Sequence, residues 1–257
     1  MIVNYYEPSL TFELPPEEAI SYFTAKGLQP TWDWFDMIGE QHDAAFTVAK
    51  MMNIDLLSAI KSELEKALAS GTTLDTFRAT LIPLLQQKGW WGKKDIVGPD
   101  GTVITIQLGS ASRLETIFRT NLQSAYSAGH WAGIQENAED MPYLMYDAVD
   151  DSKTRPEHLG FDGKVYPIDA KFWQTHFPPN DYNCRCGVIQ MDADDVKANG
   201  LTISDDPVLP MLKWQNPKTG EVVIHPQGTG PSFAHNSGVS YLENLKAALE
   251  RKMSELP

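Results

Sequence analysis

The sequence predicts an α+β protein: an N-terminal helical region followed by a compact, loop-rich α+β domain with short strands. Two observations carry this prediction. Through about residue 92 the apolar residues recur at three- and four-residue intervals, the period of a helix with one buried face. After Met141-Pro142 that period disappears, and short β-prone runs alternate with stretches rich in proline, glycine and aspartate. The expected organisation is 1–92 as the helical region, 93–240 as the loop-rich domain and 241–257 as a closing helix.

Pro15-Pro16-Glu17-Glu18 opens the first helix, with proline near its start and carboxylates at the positive end of the helix dipole, and Lys26-Gly27 closes it. Trp34, Ile38, Ala45, Val48 and Met52 fall near one face of an expected second helix. Asn53 caps a third, along which Ile54, Leu57, Ile60, Leu64 and Leu68 form the apolar stripe, and Gly71 ends it. Thr73 caps a fourth carrying Leu74, Phe77, Leu81 and Leu84, with Pro83 expected to bend it. Trp90-Trp91-Gly92 breaks the pattern, and its tryptophans read as core or interface anchors. Pro99-Asp100-Gly101 is a turn signature leading into Val103-Ile104-Thr105-Ile106, so a hairpin is expected there. A long helix comes next, from Ser112 to about Glu136, with Asn121 among apolar neighbours as a helix-packing residue. Tyr143 to Val149 and Cys186 to Met191 read as strands, and Asp192 with Asp195 starts a short helix that stops near Asn199-Gly200. The proline-rich stretch beyond it reads as an irregular arm, and Leu242 to Met253 as the last helix.

With 257 residues and a net charge of -13, the chain has ample length for a core but no basic run with which to coat nucleic acid. Any DNA contact is expected to be weak or indirect. No stretch reaches the roughly 20 apolar residues of a membrane span, and M-I-V-N-Y-Y-E-P lacks the pattern of a secretory leader. Two cysteines in a C-x-C do not make a disulfide framework, so reduced thiols in a cytosolic setting are expected.

Both cysteines and two of the six histidines fall between Asp150 and Cys186, a stretch with a Pro-Pro step and a dense set of polar residues. Zinc suits thiolates and imidazoles: Cys184, Cys186 and His158 would supply three ligands, and His176 or Asp181 a fourth. The single residue between the cysteines is shorter than the usual zinc-knuckle spacing. A second reading makes the cysteines small buried residues in a knot pinned by Arg155, Asp151 and backbone groups. A third makes Cys184 a nucleophile beside His158 or His176 with Arg185 lowering its pKa, or makes Asp150, Asp151 and His158 a catalytic metal site. No complete mechanism accompanies any of these partial motifs, and Gln227 to Pro231 lacks the ending of a phosphate-binding loop. His225 and His235 have no evident partners in the sequence.

Taken in order, D-x-x-T-R-P-x-H at Asp151 to His158, Phe172-Trp173, Pro178-Pro179-Asn180 and Cys184-Arg185-Cys186 resemble the phage Mu F-like head morphogenesis family, the minor capsid proteins of tailed phages and prophages. The preceding helix R-L-E-T-I-F-R-T-N-L-Q-S-A-Y-S-A-G is similar to the family's R-T-N helix, and G-P-S-F-A-H-N-S-G at Gly230 to Gly238 to its closing motif. The chain departs from the family pattern at Asp181, where His or Gly is frequent, and at His130, where an arginine is frequent. The resemblance implies that Arg119, Asn121, Asp151, Arg155, Trp173 and Arg185 are structural motif residues. It implies a minor head protein in few copies near the portal vertex, with portal protein and inner capsid or scaffold as partners. Its place would be the virion, and the host cytoplasm during assembly; its role would be head morphogenesis or DNA delivery, without an established enzymatic activity. The alternatives are a metal-dependent enzyme, nuclease- or hydrolase-like, and an effector module delivered with phage DNA.

Overall fold

A computed structural model describes residues 16–97 and 101–254 of the chain. The opening octapeptide, Pro15 and the Pro99-Asp100 part of the expected turn lie outside the described residues.

Helix α1 (Glu17–Thr24) begins directly after Pro16, with Glu17 and Glu18 in its first turn. The expected second helix is not there. Residues 27–52 form strand β1 (Gly27–Leu28), a 3-10 turn at Trp34–Asp36, the four-residue helix α2 (Gln41–Ala44) and strand β2 (Ala45–Phe46), which pairs in parallel with β1. The apolar spacing there is coincidental with a helix. Asp36 accepts from the Trp32 and Asp33 amides and closes a tight turn, Gly39 sits at φ +59, and Lys50 donates its amide to Thr31.

From residue 53 onward, local signals do govern the helices. In α3 (Ile54–Ser70) the Asn53 side chain accepts from Asp55 and Leu56 amides at 3.0 and 3.1 Å, and Gly71 at φ +67 supplies the left-handed stop. Thr73 caps α4 (Leu74–Gln87), which runs through Pro83. Strands β3 (Lys93–Val97) and β4 (Val103–Gln107) pair antiparallel as expected. The long helix α5 (Ala111–Glu136) starts one residue early, capped by Ser110, whose hydroxyl accepts from the Arg113 amide.

In the second half, β5 (Tyr143–Asp147) is the middle strand of a three-stranded antiparallel sheet with β6 (Val165–Pro167) and β7 (Gly187–Met191) on its sides. The short helices α6 (Pro156–Leu159) and α7 (Phe172–His176) stud the loop-rich connection between β5 and β7. A two-way capping box of Asp192 and Asp195 opens α8 (Ala193–Ala198). The expected irregular arm contains a regular hairpin, β8 (Met211–Gln215) with β9 (Val222–Pro226), turned at Asn216, whose side chain accepts from the Lys218 and Thr219 amides. Its Trp214 packs on Trp34 and Phe35 of the 3-10 turn. The last helix is α9 (Ser237–Ser254).

Helix α5 is the spine shared by two cores. Up to Ala128 it contributes Leu114, Ala125 and Ala128 to a cluster with Phe23, Leu57, Ile60, Leu64, Phe77 and Leu81. Its last turns give Trp131 and Ile134 to a cluster with Leu144, Tyr146, Tyr166, Trp173 and both cysteines. Helix α9 lies along α5: Tyr241 meets Tyr22 edge-to-face at 5.7 Å in the first cluster, and Leu242 packs against both.

Candidate functional site

The D-x-x-T-R-P-x-H segment and the C-R-C segment are tied together by two crossed ion pairs. Arg185 grips Asp151 through both carboxylate oxygens at 2.7 and 2.5 Å, and Arg155 reaches the other way, to Asp181 at 3.0 Å and the Tyr182 carbonyl at 3.0 Å. The Arg185 guanidinium holds the Asp151 carboxyl well below the usual carboxylate range. Both pairs sit at the rim, so their geometry fixes register more than it adds stability. Thr154 adds hydrogen bonds to Asp151 and to the Val149 carbonyl.

Inside the straps, His158 (in α6), Cys184 and Cys186 are buried together, with ligating atoms that all lie within 4.8 Å of one another. The His158 Nδ1 stands 3.8 Å from Cys184 Sγ and 3.6 Å from Cys186 Sγ. Its Nε2 is 3.0 Å from the Gly228 carbonyl oxygen, which only an N–H can satisfy. Gly228 is at φ +94, and a Cβ there would fall 2.8 Å from the Phe161 ring; glycine lets that carbonyl turn in. The thiols are inequivalent. A hydrogen bond from Cys184 pulls Cys186 down against the cost of burial, helped by His158 and the Tyr146 hydroxyl, and the same bond with burial pushes Cys184 up.

His176 lies outside this group. Its Nε2 donates to the Gln227 carbonyl at 3.0 Å, its Nδ1 meets Thr175 Oγ1 at 2.8 Å, and its ring stacks on Phe172 at 4.6 Å. Asp181 is taken by Arg155 and the Tyr182 amide. Consecutive carbonyls, 227 and 228, thus each capture one imidazole. The nucleophile reading gains nothing from this arrangement, since Arg185 is directed to Asp151 and Cys184 is buried.

Trp173 is buried among Tyr166, Phe172 and Phe177, and Asn236 of the closing motif donates to its carbonyl at 3.2 Å. Asn121 donates to the Ile117 carbonyl one turn back, and Arg119 lies half-exposed, bonded to Glu115 at 2.9 Å.

A second site joins residues from both ends of the chain. A cavity of about 540 Å³ is bounded by Thr120, Asn121 and Ser124 of the R-T-N helix, by Ser232, Phe233 and His235 of the closing motif, and by Tyr22, Lys26 and Asp43. His235 Nε2 lies 3.0 Å from one Asp43 oxygen; the other accepts from Tyr22 at 2.6 Å, and Lys26 donates to Tyr22 at 2.9 Å and to the His42 carbonyl at 2.6 Å. Burial works to raise the Asp43 pKa, yet the neighbouring His235 imidazole and the Lys26 charge prevail and hold it at about 2. Burial lowers Lys26 to about 8. Thr120 Oγ1, Ser232 Oγ and His235 Nδ1 are buried with no partner among the described residues. His235 is therefore partnered, contrary to expectation. Nothing in the sequence pointed to Asp43, Tyr22 or Lys26, because the contacts are long-range.

These features define the class: an α+β protein whose polar chemistry serves a strapped thiol–imidazole knot and a buried polar junction. The Phage Mu protein F like family matches residues 58–189, a span running from α3 through the knot into β7, and the chain belongs to that family. It is 46% identical over 191 residues to "Putative capsid assembly protein F" of Escherichia phage Mu, covering 74% of this chain and 44% of the relative. It is 43% identical over 175 residues to the Mu-like prophage FluMu F protein of Haemophilus influenzae, covering 68% of this chain and 41% of the relative. The chain thus spans less than half the length of these curated relatives. No solved structure matches it. Among the described residues, no helix is long and apolar enough to cross a membrane.

Proposed function

We propose that this chain acts as a minor head protein of a tailed phage or prophage, placed at the portal vertex on the inner side of the capsid, with portal protein and inner capsid or scaffold as its partners. The observation that carries the reading is the relative named for capsid assembly, whose identity to this chain extends over 191 residues. The knot supports a structural rather than an enzymatic role: its two arginines are spent on carboxylates, and its thiols face inward. A head role includes support of morphogenesis and DNA delivery, with DNA contact weak or indirect given the net charge of -13. The 93–240 segment is proposed as the unit that carries the family motifs, flanked by 1–92 and 241–257.

The test is co-purification with the portal protein of the same phage, together with thermal melts and head incorporation of His158→Ala and Cys184→Ala. Portal association, and loss of stability accompanied by loss of incorporation, are expected, because an unpaired buried polar group is costly. Folded, normally incorporated variants that yield non-infectious particles would favour a catalyst instead. Tight DNA binding at high salt without portal association would defeat the assignment.

A further inference from the structure

We infer that His158, Cys184 and Cys186 bind a structural zinc ion, with the Nδ1 nitrogen of His158 and both sulfurs as its protein ligands. The inference rests on the geometry of the knot and is independent of the portal reading.

Three features point to a metal rather than to plain thiol packing. The first is the donor set: two sulfurs and an imidazole nitrogen converge within 4.8 Å in a buried space, and that combination selects zinc over hard cations. The second is the imidazole's orientation. Because Nε2 is committed to donating to the Gly228 carbonyl, the neutral ring turns its Nδ1 lone pair toward the two sulfurs. This carbonyl–histidine pairing is the outer-shell device that fixes a metal-binding tautomer. A plain pair of buried thiols has no need of it.

The third feature is the polar surroundings of the sulfurs. Tyr146 is fully buried in an apolar cluster, yet its hydroxyl is directed at Cys186 and accepts from Asn180 Nδ2 at 2.9 Å. This chain of donors suits thiolate sulfur, the form that binds metal. Asn180 is completely buried, and its side-chain oxygen has no partner among the described residues. That oxygen would complete the fourth position, directly or through a water. Asp181 and His176, the other ligands considered from sequence, are engaged elsewhere.

Binding would release the proton of each remaining thiol and leave no oxidation state changed, so no co-reactant is required. The role is structural. All three protein ligands are buried, and the ion would join α6 to the C-R-C segment between the two Arg–Asp straps.

The full chain, purified under reducing conditions without an affinity tag that binds metal, should contain about one zinc per molecule. After removal of the zinc, cobalt(II) should restore a sulfur-to-cobalt charge-transfer band. Chelation should lower the melting temperature, and zinc should restore it. Cys184→Ser and Cys186→Ser should each weaken binding at least about tenfold, and Tyr146→Phe by about 10- to 100-fold as an outer-shell change. His176→Gln should retain full metal content, which separates ligation from general damage to the knot. If the cysteine variants do not fold, the wild-type cobalt spectrum decides alone. Wild-type protein with less than about a tenth of an equivalent of metal and no sulfur-to-cobalt band would overturn the inference. So would an undiminished band in a folded Cys184→Ser/Cys186→Ser double variant.

Discussion

Gly238 tests the packing of α9 on the spine helix. An added Cβ would lie 2.2 Å from the Trp131 Cβ and 2.5 Å from its Cγ, distances that no folded chain tolerates without movement. The obstructing atoms are the root of a buried indole on α5, so rotating the far end of a side chain cannot relieve the clash. Asn236 also restrains the site by accepting the Gly238 amide at 2.9 Å. Gly238→Ala should therefore behave as an overpacking substitution and destabilise by about 1–3 kcal/mol. For a chain of this size, each kcal/mol moves the melting temperature by about 2–4 °C, giving an expected fall of about 2–12 °C. Gly133 is the internal control, on the same helix two residues beyond Trp131, with nothing within 4 Å of its added Cβ. Gly133→Ala should raise stability by about 0.4–1 kcal/mol through the unfolded chain's lost freedom. Paired urea and thermal unfolding of both variants makes the measurement. A Gly238→Ala protein as stable as wild type, or one no less stable than Gly133→Ala, would refute the packing argument.

The buried charges and the cores give further expected outcomes. Asp43 has a folded pKa of about 2 against an unfolded value near ~3.9, so its stabilising contribution should be complete above ~pH 4 and lost as the pH falls toward 2; acid unfolding of Asp43→Asn should lack that limb. Lys26 has a folded pKa of about 8 against an unfolded value near ~10.4, so between those values the unfolded chain binds more protons and stability should rise with pH; Lys26→Met, followed by urea titration at alkaline pH, should flatten that rise. Asn236→Ala removes a donor to Trp173 and an acceptor for Gly238 and should cost about 1–3 kcal/mol in chemical unfolding, with no loss meaning that water replaces both bonds. Leu64→Ala, fully buried in the first core, should cost about 2–5 kcal/mol by the same assay, and a cost under ~1 would mean that the core collapses around the gap.

What could be read from the sequence is what its neighbours in the chain decide. The caps at Asn53, Thr73 and the Asp192–Asp195 box are satisfied within three residues, and those helices begin where expected. The knot was legible for the same reason: its members lie within one short stretch, and only their ligand roles required geometry. Residues 27–52 misled because distant groups set their conformation. The Ala49 carbonyl accepts from Arg113, and the Lys50 carbonyl accepts from the Trp90 indole, anchoring the end of this stretch outside any helix despite its helical spacing. The β8–β9 hairpin was hidden by its prolines, which suggested irregularity. Pro210 precedes it, Pro217 occupies its turn, and Pro226 ends it, positions where a missing amide interrupts little of the ladder. The Asp43–His235 contact joins opposite ends of the chain and left no trace in local pattern.

The edge-to-face pairing of Tyr22 with Tyr241 has a consequence for how the molecule is made. On a ribosome, α1 would emerge long before the helix that covers its tyrosine. Helices α3 and α4 could form early from local contacts, yet the apolar face they build with α1 would stay partly open until α9 had been released. During that interval the nascent protein would present a hydrophobic surface of the kind that chaperones hold and that aggregates when unattended. The closing segment and α9 then act as a late fastener, so ribosome-bound chains truncated before Gly230 should remain protease-sensitive throughout the N-terminal helices.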